Sequence, residues 1–102
     1  MAFEMTAGEG RDTISHEEEE ILALAVEIDP KRYPELSWLG CVFFDDPKID
    51  PERAQRLSSE IDALATEAKG SLEPPLLESA ARLATFFRAA GESGAWVHCQ
   101  SE

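Results

Sequence analysis

The sequence predicts an α+β fold of three main helices packed on a small two-stranded sheet, and three observations carry that expectation. Residues 51 to 69 and 75 to 90 repeat apolar side chains at the helical period between clear start and stop signals. Residues 15 to 28 do the same behind a run of acids, and two short β-favouring segments, CVFF at 41–44 and AWVHC at 95–99, supply the strands. A chain of 102 residues is one domain's worth and buries roughly two-thirds of its unfolded surface without disulfides. The expected organisation is a flexible arm over residues 1–14 followed by a single α+β domain over 15–102.

The arm is expected because Gly8, Gly10, Thr6 and scattered charge show no sustained apolar period, with Phe3 and Met5 the only side chains suited to docking. Ser15 and Glu18 have the spacing of a capping box, so a helix should open there, with Glu17 to Glu20 at the positive end of its macrodipole. Ile21, Leu24, Ala25 and Ile28 form its stripe, and Leu22 and Val26 widen it, as in a helix with two neighbours. Asp29-Pro30 ends it, since proline disfavours helical geometry in the residue before it.

In KRYPELSWLG, Pro34 suits a first helical position and Gly40 a stop, which gives one helical turn holding Leu36, Trp38 or Leu39 inward. CVFF then reads as a buried strand closed by Asp45-Asp46-Pro47. Asp50 caps and Pro51 opens the next helix, which Gly70 stops after Lys69. Ala54, Leu57, Ile61, Leu64, Ala65 and Ala68 fall within an arc of about 100° on it, leaving Arg53, Arg56, Glu60 and Glu67 toward solvent. Pro75 opens the last helix, lined by Leu76, Ala80, Leu83, Phe87 and Ala90 and stopped by Gly91. The closing strand places Trp96 and His98 on one side and Val97 and Cys99 on the other, and CVFF is its expected partner.

Charge is the most one-sided property. The net formal charge is −12, and the first thirty residues hold nine acids against Arg11 alone. Such a surface repels nucleic acid and anionic lipid and attracts a basic protein at long range. The amino-terminal residues lack a basic, apolar signal pattern, and no stretch approaches eighteen apolar residues. Two cysteines without paired metal spacing suit a reducing cytoplasm, and arginine outnumbers lysine six to three, as GC-rich bacterial genomes favour.

No catalytic pattern emerges. The glycines form no phosphate-binding loop and there is no G-x-S-x-G. The four-glutamate run lacks the alternating ligands and tight glycine turn of a calcium loop. Cys41 with His98-Cys99 is the one conceivable thiol or metal set, yet adjacent strand residues face opposite ways, so both cysteines are expected as inert core residues. No cofactor and no metal is expected, and no enzyme activity.

What remains is a contact surface: Glu17, Glu18, Glu19 and Glu20 with Asp45 and Asp46 as an acidic face, and Tyr33 and Trp38 as aromatic anchors beside it. In size, charge and simplicity the chain resembles the small bacterial immunity proteins and antitoxins that cover the basic active site of a cognate toxin. That likeness rests on bulk character and carries no residues over. It implies a non-enzymatic acidic protein-binding domain that neutralises a basic partner, with no direct contact to nucleic acid or membrane and a homo-oligomer left open. Two alternatives compete: mimicry of nucleic acid, which wants acids along an elongated surface whereas residues 51 to 91 are nearly balanced, and a small thiol-dependent enzyme, which wants a depressed thiol pKa in an exposed cleft.

Overall fold

The computed structural model describes residues 3–68 and 70–101. Its elements run β1 (Phe3–Ala7), β2 (Gly10–Ile14), α1 (Glu19–Ile28), α2 (Pro34–Cys41), β3 (Lys48–Ile49), α3 (Pro51–Glu67), α4 (Pro74–Ser93) and β4 (Val97–Ser101). The α+β class stands, with four helices and a four-stranded antiparallel sheet of order β2-β1-β4-β3 among the described residues in place of three helices and two strands. Phe3, Met5, Ile14, Ile49, Val97 and Cys99 are buried on one face of the sheet under the helices. Glu4, Thr6, Arg11, Lys48 and His98 occupy the other, which faces solvent as antiparallel sheets allow.

The largest correction concerns residues 3–14, which form a hairpin whose first strand lies between β2 and β4 instead of a flexible arm; Met1 and Ala2 of that arm lie outside the described residues. Gly8 takes a φ of +58° in the two-residue turn Gly8-Glu9, the conformation that a tight hairpin requires at its first central position. The period-2 pattern of Phe3 and Met5 continues on β2 through Ile14, but Asp12 stands where an apolar residue would complete it. Arg82 of α4 answers that acid. Its guanidinium lies 3.0 Å from the Asp12 carboxylate and 2.9 Å from that of Glu18, and donates at 2.9 Å to the Thr13 carbonyl.

Glu18 also closes the capping box: it accepts the Ser15 N–H at 2.9 Å while Ser15 Oγ accepts the Glu18 N–H at 3.3 Å. Regular helix then begins at Glu19. Burial alone would raise the Glu18 carboxyl, but the Ser15 amide, the Ser79 hydroxyl and Arg82 outweigh it and hold it below its ordinary value.

CVFF is not a strand. Cys41 ends α2 and Val42 to Phe44 turn away from it, because Gly40 keeps helical geometry and α2 runs past the expected stop. The edge beside β4 is instead filled by Lys48–Ile49, by the Pro47 carbonyl accepting from Cys99, and by Asp46, whose carboxylate accepts the Ser101 N–H at 2.9 Å.

Asp50 caps α3 by accepting the Arg53 N–H at 2.7 Å, with Pro51 behind it as expected. The regular helix ends at Glu67, and the expected end at Lys69 lies outside the described residues, as does Glu102 at the close of the domain. Helix α4 passes the expected stop at Gly91 and ends at Gly94, which takes a φ of +72°. Gly91 serves the crossing of α3 and α4, since a side chain there would stand 2.9 Å from the Pro51 carbonyl and inside Gln55. Ser58 completes the pair by donating at 2.7 Å to the Ala84 carbonyl.

Two predictions follow from this packing. Leu64, 1% exposed at the centre of the core, should cost about 2–5 kcal/mol when cut to alanine, read by denaturant unfolding. The charge clamp has a pH signature: because the folded Glu18 carboxyl is held below its ordinary value of about 4.3, its stabilisation is present above that pH and is lost as pH falls through the folded pKa. Arg82→Ala should therefore cost about 1–3 kcal/mol at pH 7, discounted for the half-exposed guanidinium, and the gap to the native protein should shrink in melts at pH 3.

Candidate functional site

The six acids and two aromatics expected to form a contact surface have divided roles. Glu18 is 8% exposed and committed to Ser15 and Arg82, and Asp46 is committed to Ser101. Tyr33 is 1% exposed, its hydroxyl donating at 2.6 Å to Glu67, and burial together with that carboxylate raises the phenol's pKa. Trp38 is half-buried under the Arg53 guanidinium, 3.9 Å above its ring centroid. Glu19 is half-buried beside His16, and Glu17, Glu20 and Asp45 remain exposed.

What fixes α2 is a polar seam with α3. Glu60, expected on a solvent face, accepts the N–H groups of Glu35 and Leu36 at 3.0 Å, satisfying two free amides at the start of α2. Burial pushes the Glu60 carboxyl up, with the Glu35 charge adding to it and the two amides opposing. Arg53 meets Glu35 at 2.8 Å and Arg56 meets it at 3.2 Å. Glu67 receives Arg32 at 2.7 Å as well as Tyr33.

With α1 held by Glu18 and α2 by Glu60, a groove of about 430 Å³ lies between them, lined by Leu22, Ala23, Val26, Gly40, Cys41 and Phe44 among others, with Glu19 on its wall. Val26 is 47% exposed and Phe44 64%. Phe44 is held out by its neighbour: Phe43 is buried in a stack on Phe3 at 4.1 Å, and Phe44 stands edge-on to Phe43 at 5.4 Å. Glu20 and Glu27, exposed, flank Ala23 at the helical spacing, and exposed Asp45 follows Phe44 directly. Of the expected contact residues the structure thus brings Glu19 alone to the lining of this apolar groove, beside Phe43 and Phe44, with Asp45 next in the chain.

Val26, Gly40, Cys41, Phe44 and Glu27 were not among the expected contact residues. The available signal was α1 itself: EEILALAVEI is apolar over too wide an arc for a helix with a single buried face. Reading Val26 as a side of the core stripe and Phe44 as strand concealed it.

The cysteines are free and differently placed. Cys41, expected in the core, is exposed at the groove because its segment is helix end and not strand, while Cys99 is buried on β4 with His98 on the opposite face. Burial and the Asp46 charge push the Cys99 thiol up to about 12, which keeps it protonated at neutral pH. Among the described residues, no group of three or more His, Cys, Asp or Glu side chains is arranged to hold a metal ion, and no helix is long and apolar enough to cross a membrane.

Alkylation at pH 7 should accordingly modify Cys41 in the folded chain and leave Cys99 untouched until denaturant is added, as peptide mass mapping would read. Comparison with protein-family models, with curated proteins and with solved structures finds no significant match to this chain.

Proposed function

We propose that this chain is a non-enzymatic acidic protein-binding domain that engages a basic protein in the cytoplasm and neutralises it by covering it, as an immunity protein or antitoxin does. The observation that carries the reading is the α1–α2 groove, lined by exposed Val26 and Phe44 and by Glu19, with the exposed acids Glu20 and Glu27 on the same helix and Asp45 next to Phe44 in the chain. An apolar centre with a charged rim is the make-up of a protein contact, and the sign of the rim selects a basic partner. Most of the molecule's own cations are already engaged: Arg32, Arg53, Arg56, Arg82 and Arg88 each pair with an acid, so the net charge of −12 is expressed by acids left over.

Nucleic-acid mimicry is less well supported, because the molecule measures 34 × 27 × 24 Å and the acids do not run along an elongated surface. A thiol enzyme would have to rest on Cys41, since Cys99 stays protonated, and His98 lies on the open sheet face.

The test is affinity capture from the source cell with the native chain and with a Glu20→Lys, Glu27→Lys, Asp45→Lys chain, avoiding Glu18 and Asp46 because both hold the fold. A basic protein should be retained by the native chain, lost by the charge-reversed one, and weakened at least tenfold between about 50 and 500 mM salt. A partner of acidic or neutral pI, or binding indifferent to both salt and reversal, would overturn the reading.

A further inference from the structure

Resting on the reading of the groove as the contact site, we infer that its occupant is a basic amphipathic helix of the partner that crosses α2 at close range over Gly40. Three observations support this beyond the groove's charge. The first is Gly40 itself. A glycine inside a helix weakens it relative to alanine, and is usually explained by a positive φ or by a close approach within the chain. Gly40 has neither: its φ is not positive, and a Cβ built on it would meet nothing within 4 Å. It is exposed and lines the groove, so the space that its missing side chain leaves opens outward to whatever lies against α2.

The second observation is the nature of the walls. Two of them are the helices α1 and α2 and the third is the Val42–Phe44 turn; none is a strand, so among the described residues the groove has no sheet edge for an extended peptide to pair with. An occupant entering this apolar site must satisfy its own backbone, as a helix does.

The third is length and charge. From Glu19 to Val26 the α1 wall advances about 10 Å at 1.5 Å per residue, which matches two turns of a partner helix bearing apolar residues at i, i+3 or i+4, and i+7. Glu20 and Glu27 beside one wall and Asp45 beyond Phe44 then face lysine or arginine flanking that stripe. A second copy of this chain is disfavoured as occupant, since each copy carries −12.

The experiment selects a displayed library of helix-forming peptides on the full chain and measures the enriched peptides, by fluorescence anisotropy, against the native protein, Gly40→Leu, Phe44→Ser and Ala63→Leu, the last an exposed α3 position outside the groove. Enriched peptides should be rich in lysine and arginine around an apolar stripe of helical period. They should lose at least tenfold in affinity for Gly40→Leu and be unchanged for Ala63→Leu, with the melting temperature of Gly40→Leu equal to or above the native value. Basic peptides that bind Gly40→Leu as tightly as the native chain would overturn the close crossing and leave the acidic contact site standing. Enriched peptides with no excess of basic residues, or with Phe44→Ser binding undiminished, would remove the contact site and this inference together.

Discussion

The Arg82 clamp is the constraint on which the remaining architecture depends. Apolar burial brings the β1–β2 hairpin onto the helices, but it does not fix how α1 leaves the sheet, since Ile14 is followed at once by a polar turn. Asp12 from the sheet and Glu18 from the helix opening converge on one guanidinium of α4, so strand, turn and helix are referred to a single point. Each acid would be costly to bury alone, and together they are tolerated because one planar cation, held by the Thr13 carbonyl as well, serves both. Burial of Glu18 is thus a cost that sets direction: α1 must start where its carboxylate reaches Arg82 and the Ser15 amide at once.

The same logic recurs at α2, an eight-residue helix too short to stand alone in water. Leu36 and Leu39 give it a buried edge, and Glu60 from α3 closes its free amides, a cap supplied by a neighbouring helix because Tyr33 offers none from the chain itself. Arg53, placed between Glu35 and the Trp38 ring, locks the helix against rotation about its axis. The two groove walls are therefore positioned by charged contacts at Glu18 and Glu60, neither of which lines the groove, and the lining between them is mostly apolar, with Glu19 and Ser37 its polar members.

Legibility in the sequence followed how local each signal is. The α3 opening at Asp50-Pro51, the Ser15–Glu18 box, the α1 stop at Asp29-Pro30 and the two-faced β4 could all be read because each depends on neighbours within one helical turn or one strand. The hairpin was illegible because its pattern breaks at Asp12, an acid made acceptable only by Arg82 seventy residues away. CVFF misled for the opposite reason: its β propensity is genuine, but Asp46 and Pro47 occupy the sheet edge it would have needed, and the chain turns before reaching it. Of the residues proposed for contact, Glu20 and Asp45 could be named from charge alone, whereas Tyr33, Trp38, Glu18 and Asp46 could not be assigned to the fold without knowing that Glu67, Arg53, Arg82 and Ser101 lie against them.

The groove and the charge also constrain one another. Exposed Phe44 and Val26 would, on a neutral protein, invite association with any apolar surface, including that of another copy. At −12 the approach of like copies and of most acidic proteins is opposed at distances set by a Debye length of about 8 Å, while a basic surface is drawn in. The apolar centre supplies short-range attraction that discriminates little, and the acids decide which surfaces come close enough to feel it. Because Glu18 and Asp46 are spent on the fold, on the proposed reading that selection would fall to Glu19, which lines the groove, and to the exposed acids Glu20, Glu27 and Asp45. Phe43, buried in its stack on Phe3, ties this segment to the sheet, so the exposed Phe44 beside it is presented from a position that the core sets.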